Sequence, residues 1–237
     1  MYGGEPTGGD GPPGLEERER ARCSACPQRP HCLPAKLEGA ALAAFEHSVI
    51  HLPTLPQGRT LVTEGEPFEF YYALKHGVFK AVRRDGNGDE QITAFHFPGT
   101  VLGLAERASL VWSATEVALT ETRICRIPPR LITPSLQRRL CYLASAALRA
   151  EYERHLNLAH RDAAQRLATV LVHFAEVMGT LQLSLPMSRS DLASYLGLHP
   201  ETLSRRFREL TLCGWIATHG RDIDIRDLEG LRRFAEG

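Results

Sequence analysis

The 237-residue chain has no excess of charge of either sign, because 28 Lys and Arg residues are balanced by 28 Asp and Glu residues. A balanced chain generates no global field that would draw it to nucleic acid, so any contact with DNA must rest on a local basic cluster. The sequence also has no stretch approaching the roughly 18 uninterrupted apolar residues that a membrane-spanning helix needs. No association with a membrane is therefore expected.

Signatures of common catalytic sites are missing as well. The sequence contains no G-x-S-x-G, H-E-x-x-H or phosphate-loop pattern. Its 10 histidines are scattered, and His155 and His160, five positions apart, do not share a helix face. We therefore expect that the chain is not an enzyme.

No targeting signal is evident in residues 1–22, which are rich in Gly, Pro and charge and lack an apolar core. This composition predicts a disordered tail rather than a secretory signal, and hence a cytoplasmic protein. In such a reducing compartment, the 6 cysteines argue against a disulfide framework and favour metal binding by those that cluster. Cys141 and Cys213 lie within helical patterns and are interpreted as ordinary small apolar residues.

Four cysteines have the arrangement of a metal site. Cys23, Cys26 and Cys32 form a C-x2-C-x5-C cluster, and Cys125 is distant in sequence. Thiolate sulfur is the soft ligand that iron-sulfur clusters need, and three close donors plus one from a folded domain can complete a four-cornered site. A structural zinc site also accepts four cysteines, so the spacing alone leaves both metals open.

The region from about residue 52 to 128 has short apolar runs separated by turn residues, which predicts an all-β domain. Turn signals recur at residues 56–58, 65–67, 76–77, 85–89 and 98–99. Segment 85–89 is the clearest hairpin tip, because its Gly and Asn residues tolerate the positive φ that such turns require. Cys125 falls in the last predicted strand, residues 122–127.

After Pro128 and Pro129 the periodicity becomes helical and stays so from about residue 133 to 160. Leu140, Leu143 and Ala147 belong to an apolar series with three- and four-residue intervals. A helix of roughly 25 residues is longer than most globular helices, which favours packing against a second copy in a homodimer. A core helix lying against the β domain is the alternative.

A helix-turn-helix pattern follows. Ser188 and Asp191 form a capping box, Gly197 can end the helix in the left-handed conformation, and Pro200 suits the first position of the next helix. Residues 215–218 and 222–225 flank a short turn, which predicts a β-hairpin wing.

The second helix of this pair has an apolar and a polar side. The apolar side carries Leu203, Phe207 and Leu210, and the polar side carries Glu201, Ser204, Arg205 and Arg208. In the major groove Arg can donate twice to guanine and Glu can accept from cytosine, while Arg206 and Arg208 can reach phosphates. A merely solvated charged face is the alternative, but the capped helix and glycine turn before it favour DNA.

The sequence resembles the FNR branch of the CRP/FNR family of bacterial transcription regulators over nearly everything after Arg22. The resemblance rests on the cysteine spacing, the run Cys32-Leu33-Pro34, the segment GDEQITAFH at residues 88–96, and E-T-L-S-R at residues 201–205. It implies a jelly-roll β domain, a long dimerisation helix and a winged helix-turn-helix domain.

The resemblance also implies a function and its residues. The family's oxygen-labile [4Fe-4S] cluster would be held by four residues: Cys23, Cys26, Cys32 and Cys125. An intact cluster promotes dimerisation, and the dimer binds a palindrome with TTGAT-like half-sites and contacts RNA polymerase. Glu201, Ser204 and Arg205 match base-reading positions, and Glu151 matches an acidic position on the dimer helix that opposes pairing by like-charge repulsion.

The cyclic-nucleotide branch of the same family is the rival. That branch needs a glutamate for the ribose and an Arg-Ser pair for the phosphate, whereas Leu104 and Trp112 stand at the comparable positions of the acid and the arginine. A cyclic phosphate would meet no paired cation there, and burying it so is costly. No cyclic-nucleotide binding is therefore expected.

The sequence thus predicts an α+β protein with four parts: a tail at residues 1–22, a cluster-binding loop and β-roll sensor domain at 23–132, a dimerisation helix at 133–160, and a winged helix-turn-helix domain at 161–237. The predicted function is oxygen-sensing control of anaerobic transcription. A zinc- or thiol-based regulator on the same scaffold is the alternative, and an iron-sulfur enzyme is a more distant one.

Overall fold

A computed structural model of the chain describes residues 22–84, 86 and 88–237. The predicted tail lies outside the described residues except for Arg22, and so do Asp85 and Asn87 of the predicted hairpin tip. None of the described helices is both long enough and apolar enough to cross a membrane.

The first half of the described chain is a β-sandwich, as predicted. Its strands are Ile50–His51 (β1), Thr60–Val62 (β2), Tyr71–His76 (β3), Phe79–Arg84 (β4), Glu90–His96 (β5), Val101–Leu102 (β6), Thr115–Ala118 (β7) and Arg123–Ile127 (β8). One sheet has the strand order β1-β8-β3-β6 and the other has the order β2-β7-β4-β5, and all pairings are antiparallel. Gly77 joins β3 to β4 at φ +84°, where a Cβ would overlap the carbonyl of Glu121.

Residues near the N-terminus cover one of these sheets. Three short 3-10 turns, Cys23–Ala25, Arg29–His31 and Leu33–Lys36, lead into helix α1, Gly39–Ser48. A short helix α2, Glu106–Ser109, follows β6. Leu33 and Phe45 are buried in one apolar cluster with Tyr71 of β3. This cluster fixes the N-terminal segment on the sheet that contains β8.

Helix α3 spans Pro134–His160 and follows the 3-10 turn Pro129–Leu131, so the predicted long helix is confirmed. Pro134 occupies its first turn, where a missing N–H costs nothing. Leu136 is buried against the β domain, and most of the remaining helix is exposed. A largely exposed helix of this length contributes little to the core of its own chain.

The C-terminal half is a winged helix-turn-helix. Its helices are Ala163–Met178 (α4), Arg189–Leu196 (α5), Pro200–Leu212 (α6) and Leu228–Glu236 (α7), and its strands are Gln182–Ser184 (β9), Ile216–His219 (β10) and Asp222–Ile225 (β11). The predicted wing hairpin, β10 and β11, is confirmed, and β9 adds a third strand beside β11. Trp215 packs on Phe234 of α7 with ring centroids 4.7 Å apart.

Candidate metal centre and nucleic-acid interface

The four predicted ligands line one small cavity. Cys23, Cys26 and Cys32 reach it from the N-terminal turns, and Cys125 reaches it from β8. Within the sheet, Cys125 lies opposite His51 on one side and Ala73 on the other, so its position is fixed by both neighbouring strands. The fold thus brings together thiols that are far apart in sequence.

Burial controls the ionisation of Cys23, Cys32 and Cys125. Burial raises the pKa of Cys23 to about 11 and the pKa values of Cys32 and Cys125 to about 12. Lys75, which lines the same cavity, acts in the opposite direction on the pKa values of Cys23 and Cys125. Metal binding at these cysteines must therefore displace protons from buried thiols.

The donor set fits a four-thiolate group, but the cavity is small. Its volume is about 30 Å³, which is room for about one or two water molecules. Within the described part of the chain, no group of three or more His, Cys, Asp or Glu side chains is arranged to hold a metal ion. A group of four iron and four sulfide atoms is larger than this cavity, whereas a single metal ion is not.

The predicted capping residues make the expected bonds in α5. The backbone N–H of Asp191 donates to Ser188 Oγ at 2.9 Å, and the backbone N–H of Ser188 donates to Asp191 Oδ2 at 3.3 Å. Gly197 ends the helix at φ +63°, and Pro200 opens α6. His199 makes no side-chain cap bond, so the start of α6 relies on Pro200.

Helix α6 has the two predicted sides. Leu203, Phe207 and Leu210 are buried, whereas the polar side exposes Glu201, Ser204, Arg205 and Arg208. Arg206 differs because it is half-buried and its guanidinium is paired with the carboxylate of Glu209. A phosphate contact from Arg206 would therefore have to replace an ion pair within the helix.

Arg189 ties this helix to the wing and was not identified from the sequence. Its guanidinium lies 3.6 Å from the ring centroid of Phe207, and it donates to the carbonyl of Gly220 at 2.9 Å. Burial lowers the pKa of Arg189. Arg189 belongs to α5 and contacts both α6 and the turn of the wing, which meet only in the folded domain. Nothing in the local sequence around the capping box therefore indicated this role.

The sheet that contains β4 and β5 also contacts the helix-turn-helix directly. Lys80 Nζ of β4 lies 2.7 Å from Asp191 Oδ1, with both side chains about one-fifth exposed, at 20% and 18%. The N–H of Ile92 donates to Ser194 Oγ at 3.0 Å, and the ring of Phe95 lies 5.0 Å from that of Tyr195. Burial alone raises the pKa of Asp191, but bonds from Lys80 and Ser188 outweigh it and hold that pKa below its ordinary value.

A second cavity, of about 680 Å³, lies between the β domain, α3 and the DNA-binding domain. Its wall includes the buried carboxylate of Glu116, which pairs with His96 Nε2 at 3.3 Å through one oxygen and has no partner for the other within the described residues. Burial lowers the pKa of His96, but the Glu116 carboxylate outweighs it and raises that pKa. Leu104 and Trp112 add apolar surface.

A β-sandwich joined through a long helix to a winged helix-turn-helix defines a DNA-binding transcription regulator. Residues 52–138 match the family model of a cyclic nucleotide-binding domain, and residues 165–234 match that of a Crp-like helix-turn-helix domain.

Known proteins resemble the chain over most of its length. The transcriptional activator protein FnrA of Stutzerimonas stutzeri is 32% identical over 234 residues, covering 94% of this chain and 96% of that protein. The transcriptional activator protein anr of Pseudomonas aeruginosa is 31% identical over 229 residues, covering 92% and 94%. The structure of FixK2 from Bradyrhizobium japonicum superposes with a TM-score of 0.72 and 27% identity, covering 78% of this chain and 96% of that one.

The chain belongs to the CRP/FNR family of transcription regulators. It is a regulator with a DNA-binding domain and not an enzyme, as the sequence predicted.

Proposed function

We propose that this chain is a cytoplasmic transcription activator of anaerobic genes that senses oxygen through a [4Fe-4S] cluster. The observation that carries the proposal is the convergence of four buried or half-buried thiols on one cavity, three from the N-terminal turns and one from β8. The name of a relative also supports a role in anaerobic regulation. A protein of Haemophilus influenzae that is 27% identical over 220 residues is called an anaerobic regulatory protein.

The proposed ligands are Cys23, Cys26, Cys32 and Cys125. A bound cluster would supply an oxygen-labile centre whose loss is the signal. The chain's own residues supply four cysteine sulfurs, and three of them, Cys23, Cys32 and Cys125, pack among apolar residues such as Leu33 and Phe45 that exclude bulk water. Such a soft donor set suits iron-sulfur chemistry.

Zinc is the second candidate for this site, since four thiolates also hold structural zinc. A zinc- or thiol-based regulator would use the same fold and the same cysteines, but it would not carry inorganic sulfide. The two candidates differ in composition and colour, which makes them separable in one preparation.

The cavity beside α3 supports a regulator without a cyclic nucleotide. A cyclic phosphate entering it would face the Glu116 carboxylate, which has an unpaired buried oxygen. The two arginines in the wall are engaged elsewhere: Arg154 by the carboxylate of Glu151, and Arg166 by the backbone carbonyls of Arg161 and Leu196. An anion buried beside a carboxylate whose second oxygen already lacks a partner is strongly disfavoured.

The proposed DNA target is a palindrome of TTGAT-like half-sites. Glu201, Ser204 and Arg205 are proposed to read base edges from the exposed side of α6, and Arg206 and Arg208 to contact phosphates. An activator bound beside a promoter contacts RNA polymerase, which is therefore the proposed protein partner. Two half-sites require two copies of the chain.

Helix α3 is proposed to form the homodimer interface. Of the predicted interface residues, Leu140 and Leu143 are half-buried against the chain's own β domain, while Ala147 and Glu151 are exposed. The large apolar side chains that α3 leaves uncovered include Leu148, 73% exposed, and Tyr152, 60% exposed. The proposed contact with a second copy therefore centres on these two residues, with Glu151 beside them.

Replacing Glu151 by alanine is expected to favour the dimer of cluster-free protein. Two Glu151 carboxylates brought together at a symmetric interface repel each other, and removing about 1 kcal/mol of repulsion strengthens association about fivefold. Sedimentation in air-exposed samples measures the monomer-dimer equilibrium. Glu153→Ala, the same change at another exposed position of α3, is the matched control. An equal effect of both variants would place Glu151 outside the interface.

Anaerobic purification tests the proposed function as a whole. The protein is expected to carry about four iron and four sulfide per chain, to bleach in air, and to lose specific binding to a TTGAT-containing palindrome when it bleaches. Metal and sulfide analysis, a visible spectrum and a binding titration on one sample provide the measurements. Stoichiometric zinc without sulfide would replace the oxygen-sensing proposal by the zinc regulator.

A further inference from the structure

Arg139, in the second turn of α3, bonds to the cysteine-bearing turns. Its Nε donates to the carbonyl of Cys32 at 3.2 Å, and its Nη2 donates to the carbonyl of Pro30 at 2.7 Å. Its guanidinium also lies 5.0 Å from the ring centroid of Tyr142, one turn further along the same helix. Arg139 thus joins the proposed dimer helix to the proposed metal centre.

These two hydrogen bonds are the direct polar link between α3 and the cysteine-bearing turns. Among the hydrogen bonds of the described residues, only those of Arg139 connect α3 with residues 23–36. Other hydrogen bonds of the turns do not involve α3. The N–H of Ser24 donates to Glu46 Oε1 of α1 at 2.7 Å, and Arg29 Nη2 donates to the carbonyl of Leu37, the residue that follows the turns. Movement of the turns therefore reaches α3 through Arg139 and adjoining apolar contacts.

The chemistry of the guanidinium makes this link sensitive to loop geometry. Arg is a planar fork of N–H donors with no acceptor and keeps its charge at any physiological pH. It satisfies the carbonyls of Pro30 and Cys32 together only while the two hold their present relative position. Because one of these carbonyls belongs to a proposed ligand, a change of backbone conformation at Cys32 alters the bond directly.

We propose that Arg139 is the positioning residue that transmits the conformation of the cysteine loop to α3, an inference that rests on the proposed metal-binding function of the cysteines. A four-iron, four-sulfide group is larger than the 30 Å³ cavity, so its binding displaces the turns that carry three of the four proposed ligands. That change moves or releases the carbonyls of Pro30 and Cys32, and the first turns of α3 respond through Arg139. Ligation and dimerisation are coupled in this way, and the coupling acts in both directions.

The test compares Arg139→Met with Arg138→Met. Methionine keeps an unbranched apolar stem but cannot donate, and Arg138 is an exposed neighbour on the same helix. In Arg139→Met, iron and sulfide content is expected to stay near the wild-type value. The ratio of dimer association constants between anaerobic and air-exposed protein is expected to fall about tenfold, because two charge-assisted hydrogen bonds are removed. Sedimentation of both forms measures this ratio.

A second readout does not need the cluster. In metal-free protein, amide hydrogen exchange in residues 29–37 is expected to accelerate about tenfold in Arg139→Met and to be unchanged in Arg138→Met. Arg139→Lys serves as a second variant in case Arg139→Met folds poorly. Lysine donates from a single point, so its amide exchange rate is expected to lie between those of the wild type and Arg139→Met. A cluster-loaded Arg139→Met protein with the full wild-type ratio would overturn the proposal, as would unchanged exchange. Absence of iron in the wild-type protein would instead contradict the proposed function. The exchange measurement would still test whether Arg139 holds the turns, because it uses metal-free protein.

Discussion

Cys125→Ser protein purified without oxygen is expected to contain almost no iron or sulfide. Cys125 supplies the proposed ligand that comes from the β domain, and the two cysteines that are not proposed ligands, Cys141 and Cys213, do not line the cavity and cannot replace it. A serine hydroxyl is a hard, protonated donor and a poor substitute for thiolate at an iron-sulfur site. Without the cluster, binding to the palindrome should fall to the level of air-exposed wild-type protein. Iron and sulfide assays and a binding titration measure both effects.

Cys213→Ser provides the matched control for this variant. Cys213 follows α6, is exposed, and lies outside the cavity that the four cysteines line. Its replacement should leave iron content and DNA binding unchanged, and Cys141→Ser should leave iron content unchanged. Cys125 is only 7% exposed, so a buried hydroxyl there costs roughly 1–3 kcal/mol of stability. Cys125→Ala avoids that cost. A full complement of iron in both Cys125 variants would exclude Cys125 as a ligand.

The helix-turn-helix was predictable because its signals are local. Ser188 with Asp191, Gly197 and Pro200 each specify a backbone conformation within a few residues, and the structure has all of them as expected. The alternation of short apolar runs and turns likewise predicted the β-sandwich. The family resemblance then supplied the order of the domains, which local signals alone do not give.

Long-range pairings were not predictable in this way. Strand β9, Gln182–Ser184, is three residues long and is defined by its partner β11 rather than by its own sequence. The ion pair of Lys80 with Asp191 joins residues in different domains. The capping box already explained the presence of an acidic residue at Asp191, so the sequence did not indicate that this residue also pairs with Lys80.

The assignment of faces on α3 shows a different limit. Apolar periodicity identified the helix, but it does not distinguish residues that face the chain's own domain from those that face a second copy. Leu140 and Leu143 continue the stripe that begins at the buried Leu136 and pack against the β domain. Leu148 and Tyr152 lie on the uncovered part of the helix. That distinction requires knowing where the β domain lies.

Arg205 and Arg206 are adjacent in sequence but differ in what they can do. Arg206 is half-buried and paired with Glu209, so a phosphate contact from it must replace an existing ion pair. Arg205 is exposed, and its Nη2 makes one long bond of 3.3 Å to Thr202 Oγ1 on the preceding turn. The guanidinium of Arg205 is therefore available for a bidentate contact with a base, and Arg208 is the exposed residue for a phosphate.

Arg205→Ala is expected to erase the preference for a TTGAT half-site over one altered at the guanine. A bidentate arginine-guanine contact contributes roughly 1–3 kcal/mol of discrimination, which is between about fivefold and about 150-fold in relative affinity. Alanine is a good helix former and Arg205 lies on the exposed side of α6, so the fold should be unaffected. Binding titrations of cluster-loaded dimer on both sites measure the ratio.

The control is Arg208→Ala, which removes the same charge from the same side of α6. A phosphate contact carries no sequence information, so this variant should weaken both sites equally and keep the preference. The slope of log affinity against log salt, measured at two salt concentrations, should fall in magnitude by about one for each phosphate that is no longer neutralised. Arg206→Ala should behave in the same direction with a smaller effect, because its pairing with Glu209 already offsets part of its charge. If Arg205→Ala keeps full discrimination at the guanine while Arg208→Ala abolishes it, α6 enters the groove in a different orientation and Arg208 is the base reader.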